Sequence, residues 1–206
     1  LKLCQAILCV DLVPYVPDYT VFDIETTDLD LDRAEIVEIG AVRVQNGKEV
    51  DIFHTLVRPQ GRISEGARKT HGISDAELEG APTFQEIYLK FQAFAGIDVM
   101  VAHNGYAFDF QVLHREARRN GRARMPNPTL DTLPMARSYC PEVRHNIDAL
   151  CARYGIEKDG TRHRALDDTR FLHRAFEALK KERASRYRRM AHERLLDQVA
   201  LGMLFQ

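Results

Sequence analysis

Tyr19-Thr-Val-Phe-Asp-Ile-Glu25 places two carboxylates among aromatic and β-branched residues. This composition predicts a buried strand. Residues two apart on a strand point to the same face, so Asp23 and Glu25 converge at the end of this strand. Carboxylates rarely lie beside a buried strand without a partner, and a hard divalent cation is a natural one. Two solvated charges at a strand end are the plainer interpretation of this pair alone.

The segments that follow predict an α/β domain. Strands are predicted over 35–44 and 50–57 and joined by an Asn46-Gly47 hairpin turn, which gives a three-stranded antiparallel meander. Helices and one more strand alternate beyond it, which favours a single domain with a mixed sheet. The strand covers 98–102, and the helices cover 83–94, 108–120, 131–139, 146–154 and 164–183, with a last helical stretch to about 200.

Composition excludes a membrane protein and a disordered chain. The chain has 206 residues, of which 45% are hydrophobic and 29% are charged, and it contains no apolar run of membrane-spanning length. Residues 1–16 are apolar but include Asp11 and lack a small-residue cleavage site, so a signal peptide is not expected. The four cysteines have neither zinc-site nor Cys-x-x-Cys spacing, which indicates free thiols in a reducing cytoplasm.

A net charge of −1 hides an uneven distribution of charge. Acidic residues crowd the segment 23–38, whereas basic residues crowd 115–124 and 180–189. An acidic cluster in a partly basic protein is what a cation site facing a polyanion needs. Solvated helix faces explain the basic runs, taken alone, equally well.

Two further acids and a histidine fall where predicted helices begin. Asp109 opens a helix just after the strand 98–102, where the helix N-terminus favours negative charge. Asp168 lies near the start of the long helix, five residues after His163. Residues five apart on a helix differ by about 140°. His163 is therefore expected in the loop that enters the helix, over the carboxylates. Each residue has an ordinary structural explanation when taken singly, and only the combination predicts a site.

Three motifs in order resemble the DEDDh 3′–5′ exonucleases, the family of the proofreading epsilon subunit of bacterial DNA polymerase III. Asp23-Ile-Glu-Thr-Thr27 resembles the first motif, and His103-Asn-Gly-Tyr-Ala-Phe-Asp109 resembles the second. His163-Arg-Ala-Leu-Asp-Asp168 matches the third, and His71-Gly-Ile73 resembles a loop common in the family. The resemblance covers roughly residues 19 to 180.

This resemblance implies a ribonuclease-H-like fold, with a mixed five-stranded sheet flanked by helices. It implies hydrolysis of phosphodiester bonds from a 3′ end with release of nucleoside 5′-monophosphates, and His163 as the general base. Two divalent cations, Mg²⁺ or Mn²⁺, would be held by the carboxylates of Asp23, Glu25, Asp109 and Asp168. The terminal nucleotide would be bordered by Thr26, Thr27, Asn104 and His71.

Two acids near the motifs depart from this pattern. Asp28 stands where the family often has glycine, which would permit a left-handed turn and close approach to the substrate. Asp can adopt that conformation at modest cost but adds an anion beside the phosphate path, which puts the local substrate geometry in doubt. Asp167 is assigned no metal role, because the spacing from His163 selects Asp168.

The predicted substrate is a single-stranded or frayed 3′ end of DNA, degraded in proofreading or repair. Phe22, Tyr106 and Phe108 are candidates for stacking on bases, and the basic runs are candidates for binding phosphates. An exoribonuclease that trims RNA ends is one alternative, since no residue contact with a 2′-hydroxyl is legible. A noncatalytic nucleic-acid-binding module is the other. The clustered acids argue against the module, because like charges need a cation to stay together.

The expected domain organisation is an N-terminal extension of unknown role at 1–18, an exonuclease domain at 19–183 and a helical tail at 184–206. Within the tail, Gln198-Val-Ala-Leu-Gly-Met203 resembles the Gln-Leu-x-Leu-x-Leu hexapeptide by which bacterial DNA enzymes bind the sliding clamp. A DNA polymerase subunit or the sliding clamp is thus a predicted partner, with Gln198, Leu201 and Met203 as clamp contacts. The plainer alternative is the end of an amphipathic helix, since Val199 and Met203 lie four apart.

Overall fold

The computed structural model describes residues 16–161 and 163–204, of which 190–204 are described as backbone only. The strands are β1 (Tyr19–Thr26), β2 (Ile36–Gln45), β3 (Lys48–Leu56), β4 (Val99–Ala102) and β5 (Thr129–Asp131). The helices are α1 (Glu65–His71), α2 (Asp75–Leu78), α3 (Phe84–Ala95), α4 (Asp109–Arg119), α5 (Thr132–Tyr139), α6 (Ile147–Tyr154) and α7 (Ala165–Leu204).

The strands form one mixed five-stranded sheet in the order β3-β2-β1-β4-β5, which confirms the predicted fold class. Strands β1 to β3 are the predicted antiparallel meander, and the turn between β2 and β3 has positive φ at both Asn46 and Gly47. Strands β4 and β5 run parallel to β1. Sequence patterns did not reveal β5, because three residues are too few to show a period and a proline-rich loop precedes them.

The central strand β1 is covered on both faces. Phe22 and Ile24 point to one face and pack with side chains of α3 and α4, such as Phe91 and Phe110. Val21 points to the opposite face, where it packs among residues of α7 such as Phe176. Because side chains alternate along a strand, Asp23 and Glu25 share the face of Val21. Both carboxylates therefore lie on the side of the sheet that α7 covers.

The long C-terminal helix differs from its prediction. Two helical stretches were expected on either side of residue 183, whereas α7 is a single helix from Ala165 to Leu204. Residues 165–201 contain neither glycine nor proline, so nothing in the sequence interrupts the backbone hydrogen bonds of the helix. In the part of the chain that the structure describes, no helix combines the length and the apolarity needed to cross a bilayer.

Some predictions fall on residues that the structure does not describe. Residues 1–15 lie outside it, and with them most of the predicted N-terminal extension, the signal-peptide question, and Cys4 and Cys9. Cys140 and Cys151 are buried free thiols, as expected. The side chains of Gln198, Leu201 and Met203 also lie outside the described part, so the clamp-binding hexapeptide stays a prediction.

Helix α7 begins in close contact with β2 at Gly40. A Cβ atom placed on Gly40 would lie 2.3 Å from backbone atoms of both Ala165 and Leu166. The Thr169 hydroxyl donates a hydrogen bond of 2.9 Å to the Gly40 carbonyl. Gly40 is also the cross-strand partner of Asp23. The missing side chain at residue 40 thus lets the first turn of α7 approach the strand that carries Asp23.

Substitution of Gly40 by alanine is expected to lower the free energy of unfolding by about 2–3 kcal/mol, because the added methyl group forces backbone atoms apart. Urea denaturation measures this change. Gly66→Ala is the matched control, since a Cβ at Gly66 would meet no atom within 4 Å. We expect Gly66→Ala to leave stability unchanged or slightly raised. Equal stabilities of the two variants would contradict the close approach at Gly40.

Candidate active site

Carboxylates from β1 and α4 converge at one edge of the sheet. Strands β1 and β4 are parallel, so their carboxyl ends lie at the same edge, and Asp109 follows β4 through a short turn. The Asp109 carboxylate accepts a hydrogen bond from the backbone of Ile24, which lies between Asp23 and Glu25. Asp109 is buried, whereas Asp23 and Glu25 are half-buried. The first two motifs therefore bring three acids together.

The third motif reaches the same place from α7. Glu25, His163 and Asp168 each place one possible metal-ligand atom within 4.8 Å of the others. His163 is exposed and lies in the loop that enters α7, with a left-handed φ of 62°. Its backbone N–H donates a hydrogen bond of 3.1 Å to the Asp168 carboxylate. The structure thus brings Glu25, His163 and Asp168 together. Asp23 lies two residues before Glu25 on the same face of β1, and Asp109 lies beside the backbone of Ile24 between them.

Burial and, to a smaller extent, the neighbouring Asp131 carboxylate raise the pKa of Asp109 to about 7, against hydrogen bonds from its own backbone and from Ile24 that lower it. A raised pKa favours the protonated group in the folded protein. The stability that this group contributes is complete below the pKa of the unfolded chain, and is lost as the pH rises through about 7. A cation bound beside Asp109 would favour the ionised carboxylate and offset the free-energy cost of its burial.

We therefore expect metal-free protein to lose stability between about pH 5 and pH 8 through Asp109, by about 2–3 kcal/mol. Asp109→Asn removes the titrating group, so its unfolding free energy is expected to fall less over the same range. Urea denaturation of both proteins in the presence of a chelator gives the comparison. If the unfolding free energies of the two proteins fall equally with pH, ionisation of Asp109 does not lower the stability of the fold.

Glu38 lies next to the site, although sequence patterns indicate it only as one member of the acidic cluster at 23–38. It lies directly across from Glu25 on β2 and is fully buried. Its carboxylate accepts hydrogen bonds from the backbone N–H of Ala165 at 3.0 Å, from Arg164 Nη2 at 3.0 Å and from His54 Nε2 at 2.7 Å. Burial raises the pKa of Glu38, but the hydrogen bonds from His54, Arg164 and Ala165 outweigh it and lower the pKa to about 2.

Asp131 organises the turn of the second motif, and sequence reasoning placed it only at a helix start. Its carboxylate accepts backbone N–H groups of Asn104 at 2.8 Å, Tyr106 at 3.1 Å and Leu133 at 2.9 Å. Asn104 has a left-handed φ of 60°, which asparagine tolerates better than most residues. An aspartate at the start of a predicted helix was the available signal, since such a residue can cap the helix.

Three of the residues predicted to border a nucleotide, Thr26, Thr27 and His71, are buried. Thr26 and Thr27 are buried at the end of β1, and Thr27 is fixed by backbone hydrogen bonds to Glu35 and Ser64, each 2.9 Å long. His71 is buried, and its Nδ1 accepts the Ile73 N–H at 3.0 Å. Burial lowers the pKa of His71, against a backbone hydrogen bond with Thr26 that raises it. Their roles toward substrate stay predictions.

Asp28 does not use the left-handed conformation that a glycine would permit, since its φ is not positive. Its side chain accepts the Asp30 backbone N–H at 3.1 Å and pairs with Arg33 at 3.1 Å. Beside it lies a cleft of about 550 Å³, lined by Thr27, Asp28 and Arg62 among others. The turn after the first motif is therefore built without glycine, and the backbone conformation there carries no strain from Asp28.

The structure corrects one prediction about substrate contacts. Phe22 is fully buried, so its predicted base-stacking role is wrong, and Phe108 is partly buried against the same core. Tyr106 is 41% exposed and stays a candidate. Part of the basic runs is engaged within the protein: Arg115 pairs with Asp32, Arg119 donates to two carbonyls of the same loop, Lys180 pairs with Glu177, and Arg183 is buried. Phosphate binding by the exposed residues of these runs stays a prediction.

Residues 20–176 match the family described as Exonuclease (RNase_T). The chain belongs to this exonuclease family. The DNA polymerase III PolC-type of Clostridium perfringens is 35% identical over 170 residues, which cover 80% of this chain and 12% of that protein. The chain thus spans about an eighth of the length of such relatives.

Solved structures of other exonucleases share the fold. Exonuclease X in complex with 5′-overhanging duplex DNA is 27% identical, with a TM-score of 0.65 over 81% of this chain and 92% of that chain. Escherichia coli exonuclease I in complex with a dT13 oligonucleotide is 16% identical, with a TM-score of 0.70 over 85% of this chain and 43% of that chain. Membership of the exonuclease family and the ribonuclease-H-like fold are both confirmed, as the three motifs predicted.

Proposed function

We propose that this protein is a DEDDh-type 3′–5′ exonuclease that hydrolyses single-stranded or frayed 3′ ends of DNA in the presence of two divalent cations, Mg²⁺ or Mn²⁺. The observation that carries the proposal is the convergence of His163 with carboxylates from three separate elements. A fold alone does not specify an activity. Asp109 and Asp168 are buried at this sheet edge. Buried charges cost free energy unless they are paired or bind a metal, so these acids indicate a cation site.

The donor set fits hard divalent cations. The carboxylates of Asp23, Glu25, Asp109 and Asp168 supply oxygen ligands, which Mg²⁺ and Mn²⁺ prefer over nitrogen or sulfur. Ligand atoms of Glu25 and Asp168 already lie within 4.8 Å of each other without any ion. When bound, two such cations would stabilise charge on the phosphate oxygens and acidify the attacking water.

His163 supplies the proton acceptor in this proposal. Its ring is exposed beside Glu25 and Asp168, so a water molecule and a phosphodiester can both reach it. A ring nitrogen takes the proton of the water that attacks phosphorus, and the bond from phosphorus to the 3′ oxygen breaks. The 3′ oxygen of the shortened strand takes a proton from solvent and leaves as a 3′-hydroxyl, and the released nucleotide carries a 5′-phosphate. Thr26, Thr27, Asn104 and His71 border this nucleotide.

Similarity favours DNA over RNA as substrate. The PolC-type relatives are DNA polymerases by name, and exonuclease X, at 27% identity, was solved in complex with duplex DNA. Proofreading or repair would then be the context, with a polymerase subunit or the sliding clamp as partner. The proposed domain of 19–183 and tail of 184–206 would allow the tail to bind such a partner, although α7 connects the two without a break.

The test is digestion of a 5′-labelled single-stranded DNA, beside an RNA of the same sequence, with Mg²⁺, with Mn²⁺ and with a chelator. The proposal expects a ladder that shortens from the 3′ end of DNA, the release of 5′-monophosphates, and no reaction with the chelator. A ladder on RNA alone would reassign the protein to RNA trimming. No ladder on either strand with either cation would support the noncatalytic module instead.

A further inference from the structure

Glu38 occupies a position that connects the first motif to the third. Directly paired residues of antiparallel strands project to the same face of the sheet, so Glu38 lies beside Glu25 on the face that α7 covers. The carboxylate has no exposed surface. A fully buried acid costs free energy unless its oxygens are satisfied, so its partners matter.

Two of the partners of Glu38 are the residues that follow His163, and the third is His54, whose Nε2 lies 2.7 Å from Oε1. Arg164 donates from Nε at 3.2 and 3.3 Å and from Nη2 at 3.0 Å, which places the guanidinium edge against both carboxylate oxygens. The Ala165 backbone N–H donates at 3.0 Å. Two consecutive residues are thereby fixed to β2. A planar guanidinium held along its edge has a defined orientation, unlike a single point contact.

His163 depends on this attachment more than its neighbours do. Its φ of 62° is a conformation that residues other than glycine rarely adopt, so the surrounding contacts must hold it. Its side chain is exposed, so packing does not fix the ring. Asp168 has support that does not pass through Glu38, because the hydroxyl of the next residue, Thr169, donates to the Gly40 carbonyl at 2.9 Å.

We infer that Glu38 is a positioning residue: through Arg164 and Ala165 it holds the backbone that presents His163 to the scissile phosphate. The inference rests on the proposed function. Displacement of a reacting group by about 1 Å can cost roughly 10²-fold in rate. Glu38→Gln keeps the shape of the side chain but removes the charge that orders Arg164. We expect it to lower kcat by roughly 10²-fold, with KM and Mn²⁺ affinity nearly unchanged.

The matched control is Glu49→Gln. Glu49 of β3 pairs with Arg170 of α7 at 3.1 Å, so it also joins the sheet to this helix by an Arg–Glu pair, but away from His163. This variant is expected to keep wild-type kcat. Arg164→Lys tests the other partner, since lysine keeps the charge and loses the planar contact. It should lower kcat in the same direction as Glu38→Gln, by a smaller factor.

Two measurements separate positioning from general stabilisation. In a His163→Gly background, Glu38→Gln is expected to cost less than about threefold in kcat, because the group it positions is gone. If the losses in kcat from Glu38→Gln and His163→Gly multiply in the double variant, the inference is overturned. Hydrogen exchange of the peptide 163–168 is expected to be roughly tenfold faster in Glu38→Gln, and unchanged in Glu49→Gln.

The exchange measurement does not depend on activity. If wild-type protein degrades DNA and Glu38→Gln matches its kcat, the positioning role is wrong while the proposed function stands. If wild-type protein degrades neither DNA nor RNA, the proposed function is wrong. Exchange then still decides whether Glu38 holds the backbone around His163, and equal exchange rates in wild-type and Glu38→Gln protein would overturn that as well.

Discussion

Asp168→Asn is expected to abolish measurable exonuclease activity while leaving the fold intact. The amide oxygen of asparagine can still accept the His163 N–H that the carboxylate accepts at 3.1 Å, so the local backbone keeps its hydrogen bond. The negative charge that would hold a divalent cation is lost. Lewis-acid stabilisation by a bound metal contributes several kcal/mol, and about 4 kcal/mol corresponds to roughly 10³-fold in rate. Steady-state digestion of labelled DNA measures this loss.

The adjacent residue supplies the control for Asp168. Substitution of Asp167 by asparagine removes the same charge one position earlier. The Asp167 carboxylate accepts the Thr161 backbone N–H at 2.8 Å. Asp167→Asn is expected to keep kcat/KM within about threefold, as for substitutions outside key contacts. Calorimetric titration with Mn²⁺ should show weaker binding for Asp168→Asn alone. Equal losses of activity and metal binding in both variants would remove the reason for choosing Asp168 over Asp167.

The positions of the chemical groups were predictable from sequence because each lies at the end of a strongly patterned element. Alternation along β1 places Asp23 beside Glu25, and the start of α4 follows directly from the strand–turn pattern before Asp109. The five-residue spacing from His163 to Asp168 favoured a position of His163 in the loop before the helix, and the structure places it in the loop before α7. Local periodicity determines such features without knowledge of tertiary contacts.

The supporting residues were not predictable because their roles arise from distant pairings. Glu38 and Arg164 are 126 positions apart, and nothing local distinguishes Glu38 from Glu35 on the same segment. Glu35 caps the loop at Gln60 and Gly61 instead. Arg119, which a charge count assigns to phosphate binding, donates to backbone carbonyls of the loop after β1. A charge pattern shows which segments are rich in charged side chains, whereas burial and strand register determine which of those side chains pair.

Replacement of His163 is expected to lower kcat without loss of metal binding, which distinguishes it from replacement of a carboxylate. General base catalysis contributes about 10²–10⁴-fold, so a loss in that range is expected. The choice of substitute matters because His163 has a φ of 62°. Alanine would add the cost of a left-handed backbone, roughly 1–2 kcal/mol, to the loss of the imidazole. Glycine adopts that conformation freely, so His163→Gly isolates the chemistry of the side chain.

His163→Gly also leaves space in which free imidazole can bind. Added imidazole is therefore expected to restore part of the lost rate, in proportion to its concentration, if His163 acts by accepting a proton. His163→Asn is the comparison, because asparagine tolerates the left-handed backbone but occupies the space beside Glu25 and Asp168. It should resist rescue. Retention of wild-type kcat in both variants would remove His163 from the reaction. A loss of rate in His163→Gly that imidazole does not restore would indicate that the residue orders the loop before α7 rather than taking the proton.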